Sequence, residues 1–199
     1  RSASVDAPHT FDLATQKQIV TQYTQLTREI FEKEYQLEQI YADAGIVDKE
    51  LASGPLLAEL AEMYDRQTVL APLAEAIVQG QVRQVLADSG FTVAGQPVPA
   101  VLYHITPLPK ALVISPRSHI EQIASISVET DLTIDEISVL ESQVDEDLDV
   151  SSLVVNIGGV GVYPTMVMRS TDLNWILNTV AHEWIHNYLT LRPLGMLYG

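Results

Sequence analysis

The chain has no cysteine, so no disulfide framework exists and any metal site must be built from His, Asp and Glu. Positive charge is scarce: 11 Lys and Arg stand against 26 Asp and Glu, a formal net charge of −15. Such a surface repels phosphate backbones and anionic headgroups, which argues against nucleic acid or an anionic membrane as the main partner. Long hydrophobic runs are missing too. The most apolar stretch, 153–168, is interrupted by Asn156, three glycines and Pro164, and it falls short of the roughly 20 apolar residues of a spanning helix. No membrane span is expected, and any membrane association is expected only through other parts of a longer protein. What remains is an ordinary globular composition, 47% hydrophobic over 199 residues, enough for one good core or two small ones.

The chain opens at Arg1 with the small, polar lead RSASVDAPHT, in which His9 reads as a tail residue, and it closes on LGMLYG. These ends suggest a trimmed piece of a longer protein, exported or membrane-anchored, with the second half truncated at its C-terminus.

From Thr10 to about Ala44, Leu13, Val20, Tyr23, Leu26, Ile30, Leu37, Ile40 and Tyr41 recur at helical spacing among Gln, Glu and Lys. That predicts a helix roughly 50 Å long at about 1.5 Å per residue, which needs a helical partner to cover it. Ser53-Gly54-Pro55 reads as the start of that partner, with Leu56, Leu57, Leu60, Met63 and Tyr64 as its stripe. Pro72 is expected to kink or restart it, and Gly90 to follow its end. Residues 1–90 thus read as a helical hairpin or three-helix region.

After Gly90 the texture changes to short β-branched runs: FTVAG, VLYHI, ALVIS and IASISVE. Thr133 to Glu136 forms a capping-box pattern that opens a helix to about Asp145. SLVVNI and YPTMVM read as further strands joined by Gly158-Gly159-Val160-Gly161, and Ser170-Thr171-Asp172 caps a last helix stopped by Pro193. The expected fold class is α+β: a helical N-terminal region, then in residues 91–199 a small, mostly antiparallel or mixed sheet with a C-terminal helix.

The last helix carries His182-Glu183-Trp184-Ile185-His186, an HExxH pattern. Residues four apart on a helix lie about 40° apart around its axis, so both imidazoles point the same way and can hold one zinc ion. Glu183 sits at the edge of that face, placed to take a proton from a water whose acidity the metal raises. Leu173, Ile176, Leu177, Val180, Trp184 and Leu191 form the opposite, core-facing stripe.

The run Thr179 to Tyr188 resembles the active-site pattern of the zincin superfamily of metallopeptidases. That resemblance implies a zinc-dependent endo- or aminopeptidase, with His182 and His186 as ligands, Glu183 as the base, and a peptide or protein substrate lying antiparallel to an edge strand beside the helix. Residues 161–168 are the candidate for that strand. The chain departs from the metzincin branch, since Leu189 and Arg192 stand where that branch has glycine and the third histidine. It also lacks the later glutamate of the gluzincin branch, because no Asp or Glu follows Glu183. The third ligand is therefore expected from a C-terminal part outside this chain; the alternatives are an upstream residue such as His104 or His119, or a metal-free site. A non-catalytic zincin-like scaffold or protein-interaction domain is the competing reading. The sequence leaves the oligomeric state open.

Between Glu121 and Asp149 there are ten acidic residues and no Lys or Arg. Asp145, Asp147 and Asp149 have a spacing that suits calcium, but Val150 and Asn156 occupy the glycine and closing glutamate positions of an EF-hand loop. A solvated acidic face is the expected reading.

Overall fold

The computed structural model describes residues 11–130 and 132–193. Helix α1 (Leu13–Ala42) is capped by Asp12, whose carboxylate accepts the Thr15 N–H at 2.7 Å. Helix α2 (Lys49–Asp88), capped by Asp48, returns alongside it, and Leu26 and Ile30 of α1 pack on Leu60 of α2. The sequence expectation is corrected here in two respects. The helix starts before Ser53, and it passes through Pro55 and Pro72 as one element, so the hairpin has two helices. An interior proline costs about 3 kcal/mol through one lost hydrogen bond and a ring clash. Buried contacts on both sides of Pro72, from Leu60 and then Ala74, Ile77 and Val78, oppose that cost at about 1.5–3 kcal/mol per large apolar side chain.

Gly90 follows the end of α2 at φ +83°. The expected FTVAG strand is instead a tight turn. Val93 and Gln96 exchange backbone hydrogen bonds at 2.8 and 3.2 Å across Ala94 and Gly95, whose φ values of 51° and 82° fold the chain back on itself.

The rest follows the α+β expectation. In order come β1 (Tyr103–Ile105), β2 (Lys110–Pro116), β3 (Ala124–Val128), α3 (Ile134–Leu148), β4 (Val150–Asn156), β5 (Gly159–Val160), β6 (Thr165–Val167) and α4 (Leu173–Thr190). They make two three-stranded sheets. One, ordered β3-β2-β4, is antiparallel, and Leu112, Ile114 and Val150 pack there with Leu140 and Val144 of α3. The other, ordered β1-β6-β5, is mixed: β1 and β6 run parallel, and β5 runs antiparallel to β6.

Helix α3 opens with a complete capping box between Thr133 and Glu136. It buries no residue fully, as expected of a solvated acidic face. Beyond the capping box, two more of its carboxylates have backbone partners: Asp145 accepts the Ser152 N–H at 2.6 Å and Glu141 the Val154 N–H at 2.7 Å. Both donors lie on β4, an outer strand of its sheet.

The main core joins Val78, Val82 and Leu86 of α2 to Val101, Tyr103, Val167, Ile176, Val180 and Trp184. Arg169, just past β6, ties α1 to this half: one terminal nitrogen donates to both Glu34 carboxylate oxygens at 2.7 and 2.9 Å, and the guanidinium lies 4.7 Å from the Phe31 ring centroid. Among the described residues no helix is long and apolar enough to cross a membrane.

Candidate active site

Helix α4 is fixed before its polar face is considered. Asp172 accepts the N–H groups of Asn174 and Trp175 at 2.9 and 3.1 Å, satisfying two of the donors a helix start leaves unpaired. Ile176, Val180 and Trp184 are buried, as the helical stripe predicts, whereas Leu191, at the end of that stripe, is exposed. Trp184 is oriented by more than burial: its indole N–H donates to the Pro99 carbonyl at 2.8 Å, and it stacks on Tyr188 at 5.2 Å with Phe91 edge-on to both rings. A helix held this way cannot rotate without exposing an indole.

The opposite side of α4 meets β5. A Cβ on Gly159 would lie 2.7 Å from Glu183 Cγ and 2.8 Å from its Oε1, and one on Gly158 would lie 2.9 Å from the Trp175 ring. On Gly161 a Cβ would stand 3.0 Å from His186 Cβ and 3.4 Å from Glu183 Oε2. The backbone at Gly158 and Gly159 therefore lies directly against the helix, closer than a Cβ fits unless the Trp175 or Glu183 side chain shifts. Asn187 holds the following turn by donating to the Val162 carbonyl at 3.1 Å.

Glu183 is buried under this strand, and among the described residues no side chain or backbone group donates a hydrogen bond to its carboxylate. His182 and His186 are exposed beside it, with their Nε2 atoms 3.1 Å apart. Two nitrogens bound tetrahedrally to one zinc at about 2.0–2.1 Å would be about 3.3–3.4 Å apart, so this pair fits two positions of a zinc site. Without a metal, one imidazole donates to the other.

The upstream histidines are elsewhere. His104 is on β1, at the far edge of the sheet from β5, with its Nδ1 3.0 Å from Glu75 Oε2. Glu75 also accepts the Ile105 N–H at 2.7 Å, and its burial raises its carboxyl above the ordinary value against the lowering effect of these two partners. His119 lies between β2 and β3, bonded to Ser118 and Glu121 at 2.9 and 2.8 Å. Among the described residues no group of three or more His, Cys, Asp or Glu is placed to hold a metal, the acidic run at 145–149 included. His9 and residues 194–199 lie outside the described residues.

The proposed edge strand is corrected by the sheet order. Residues 165–167 form β6, the middle strand, and the edge beside α4 is β5. Two residues, one of them glycine, give no alternation to read as a strand. The signal that was present is three glycines among four residues just before a β-branched run.

A cavity of about 660 Å³ lies between the helical hairpin and the two sheets, with Phe31, Glu34, Tyr64, Lys110 and Arg169 on its walls. No α4 residue lines it, so it is separate from the histidine pair. Comparison with protein-family models, curated proteins and solved structures gives no match.

Proposed function

We propose that this chain carries the catalytic helix of a zinc-dependent peptide hydrolase, with His182 and His186 as metal ligands and Glu183 as the general base. The observation that carries the reading is the convergence of the two Nε2 atoms at 3.1 Å on the helix whose intervening residue Glu183 is buried against Gly159. On this reading the third protein donor comes from outside the described residues.

Zinc bound by His182 and His186 would supply Lewis-acid polarisation of a peptide carbonyl and raise the acidity of a water molecule. Glu183 accepts the proton that this water gives up and returns it to the leaving amine. Its position favours that work, since among the described residues the carboxylate is committed to no hydrogen bond and lies on the helix between the two imidazoles. A peptide laid antiparallel to β5 would run along the outer side of the strand under which Glu183 sits. The exposed imidazoles leave room for it.

The test is Glu183→Gln in zinc-loaded protein assayed on unstructured peptides. A loss on the order of a hundredfold or more in turnover, with zinc affinity retained, is expected. Undiminished turnover would remove Glu183 from the mechanism. The competing reading is a non-catalytic scaffold, and the observation that favours it is the absence of a third donor among the described residues. Peptide cleavage that depends on both histidines would exclude the scaffold.

A further inference from the structure

The two outer strands of the antiparallel sheet are treated in opposite ways. On β4, the outward N–H groups of Ser152 and Val154 are taken by the Asp145 and Glu141 carboxylates of α3, so no further strand can add there. On β3, among the described residues, the only strand partner is β2. Alternate backbone groups of β3 therefore point outward, as they do on any edge strand. The usual protections are missing within Ala124–Val128: it contains no proline and no charged residue. Ile120 is fully exposed, and Ile123 and Ile126 are 54% and 51% exposed, so an apolar strip accompanies this open edge.

The flanks of the strip are acidic. Glu121 and Glu129 each lie four residues from Ser125, at opposite ends of the segment, and no Lys or Arg occurs between Glu121 and Asp149. The cationic groups around the strip are engaged elsewhere or at one end: Lys110, opposite Val128 on β2, donates to the Leu132 carbonyl at 3.0 Å, Arg117 donates to the Val150 and Asp145 carbonyls at 2.9 and 2.8 Å, and His119 lies 2.8 Å from Glu121. A second copy of the chain is a poor occupant. Antiparallel pairing centred on Ser125 would set Glu121 of one copy opposite Glu129 of the other, and in-register parallel pairing would set like against like, both unfavourable across strands. A segment with cations at both ends reverses the sign of these contacts.

We infer that the outer edge of β3 is a docking site for an extended segment of another protein, which adds as a strand, has β-branched residues in its middle and carries Lys or Arg at both ends. Backbone hydrogen bonds would supply affinity and the terminal charges would set register and partner choice. The site is independent of the histidine pair and of zinc.

A nine-residue labelled peptide with lysine at each end and alternating valine and threonine between them is the probe. The expected result is saturable binding to the chain, slowed amide exchange in residues 124–128, and affinity that drops at least tenfold when the terminal lysines become glutamates. Methylating alternate amide nitrogens of the probe should abolish binding, as should Ile126→Lys in a chain whose melting temperature is unchanged. Because the probe variants need no change in the protein, the outcome does not depend on that substitution being tolerated. Binding indifferent to charge or to N-methylation would overturn the inference, as would no binding. Dimers of the chain alone with β3 amides already protected would also overturn it, naming a second copy as the occupant.

Discussion

The two sheets contain the same number of strands and differ in what their outer strands meet. In β1-β6-β5, the strand β5 lies so close to α4 that a single Cβ at Gly159 would strike the Glu183 side chain. In β3-β2-β4, the strand β4 is covered by carboxylates reaching from α3, and the outer edge of β3 is open among the described residues. A carboxylate thus stands beside an outer strand in both sheets, in different states. Glu141 and Asp145 accept backbone N–H groups and are committed to structure. Glu183 accepts none among the described residues and stands next to two convergent imidazoles. On the proposed reading, the difference separates acids that support the fold from one left free to move a proton.

The largest break in that comparison comes from filling the gap under β5. Gly159→Val should push Glu183 away from the histidine face and lower peptide cleavage about as far as Glu183→Gln does, on the order of a hundredfold, with overpacking costing about 1–3 kcal/mol in denaturant unfolding. Cleavage within a few-fold of wild type would mean the close approach does not position the base.

Removing a committed acid should act on stability and leave chemistry alone. Glu141→Ala strips the Val154 N–H of its partner and should cost about 1–3 kcal/mol by urea denaturation, with zinc binding unchanged. An altered zinc affinity would show that the two sheets are coupled.

The smallest effect concerns Glu75, a buried acid of the third kind, bonded to His104 and the Ile105 N–H. Its carboxyl is raised above the ordinary 4.5, first by burial, so the native state binds its proton more tightly than the unfolded chain does. That contribution to stability is fully present below about pH 4.5 and is lost as pH rises through the raised value. Glu75→Gln should therefore remove a downward slope with rising pH from the unfolding free energy. Parallel wild-type and variant profiles from pH 4 to 7 would contradict the assignment.

Much of the histidine-bearing helix is legible in the sequence, because cap, apolar stripe and spacing are all local: Asp172, Ile176, Val180 and Trp184 do what a 3.6-residue period requires. The α+β order is legible for the same reason, since β-branched runs mark β2, β3 and β4, with prolines flanking β2 and Gly158 following β4. Three features are not. Helix α2 continues through Pro72 because tertiary packing outweighs a local breaker. Strand β5 is too short to show a period, and its partner α4 begins 13 residues after Val160. The carboxylate cover on β4 pairs Glu141 with Val154, 13 residues away, a separation no periodic pattern encodes. Where the site needs contacts between elements, sequence supplied the ligand candidates His182 and His186 and the base candidate Glu183, and the structure added the glycines that confine Glu183.

Everything proposed for α4 rests on His182 and His186 forming two positions of one zinc site. The direct measurement is zinc titration by calorimetry, with metal analysis, on the chain and on His186→Ala. The expected result is one zinc per chain, held weakly by only two described donors, and no binding after the substitution. No zinc uptake by the unaltered chain, or uptake unaffected by His186→Ala, would contradict it.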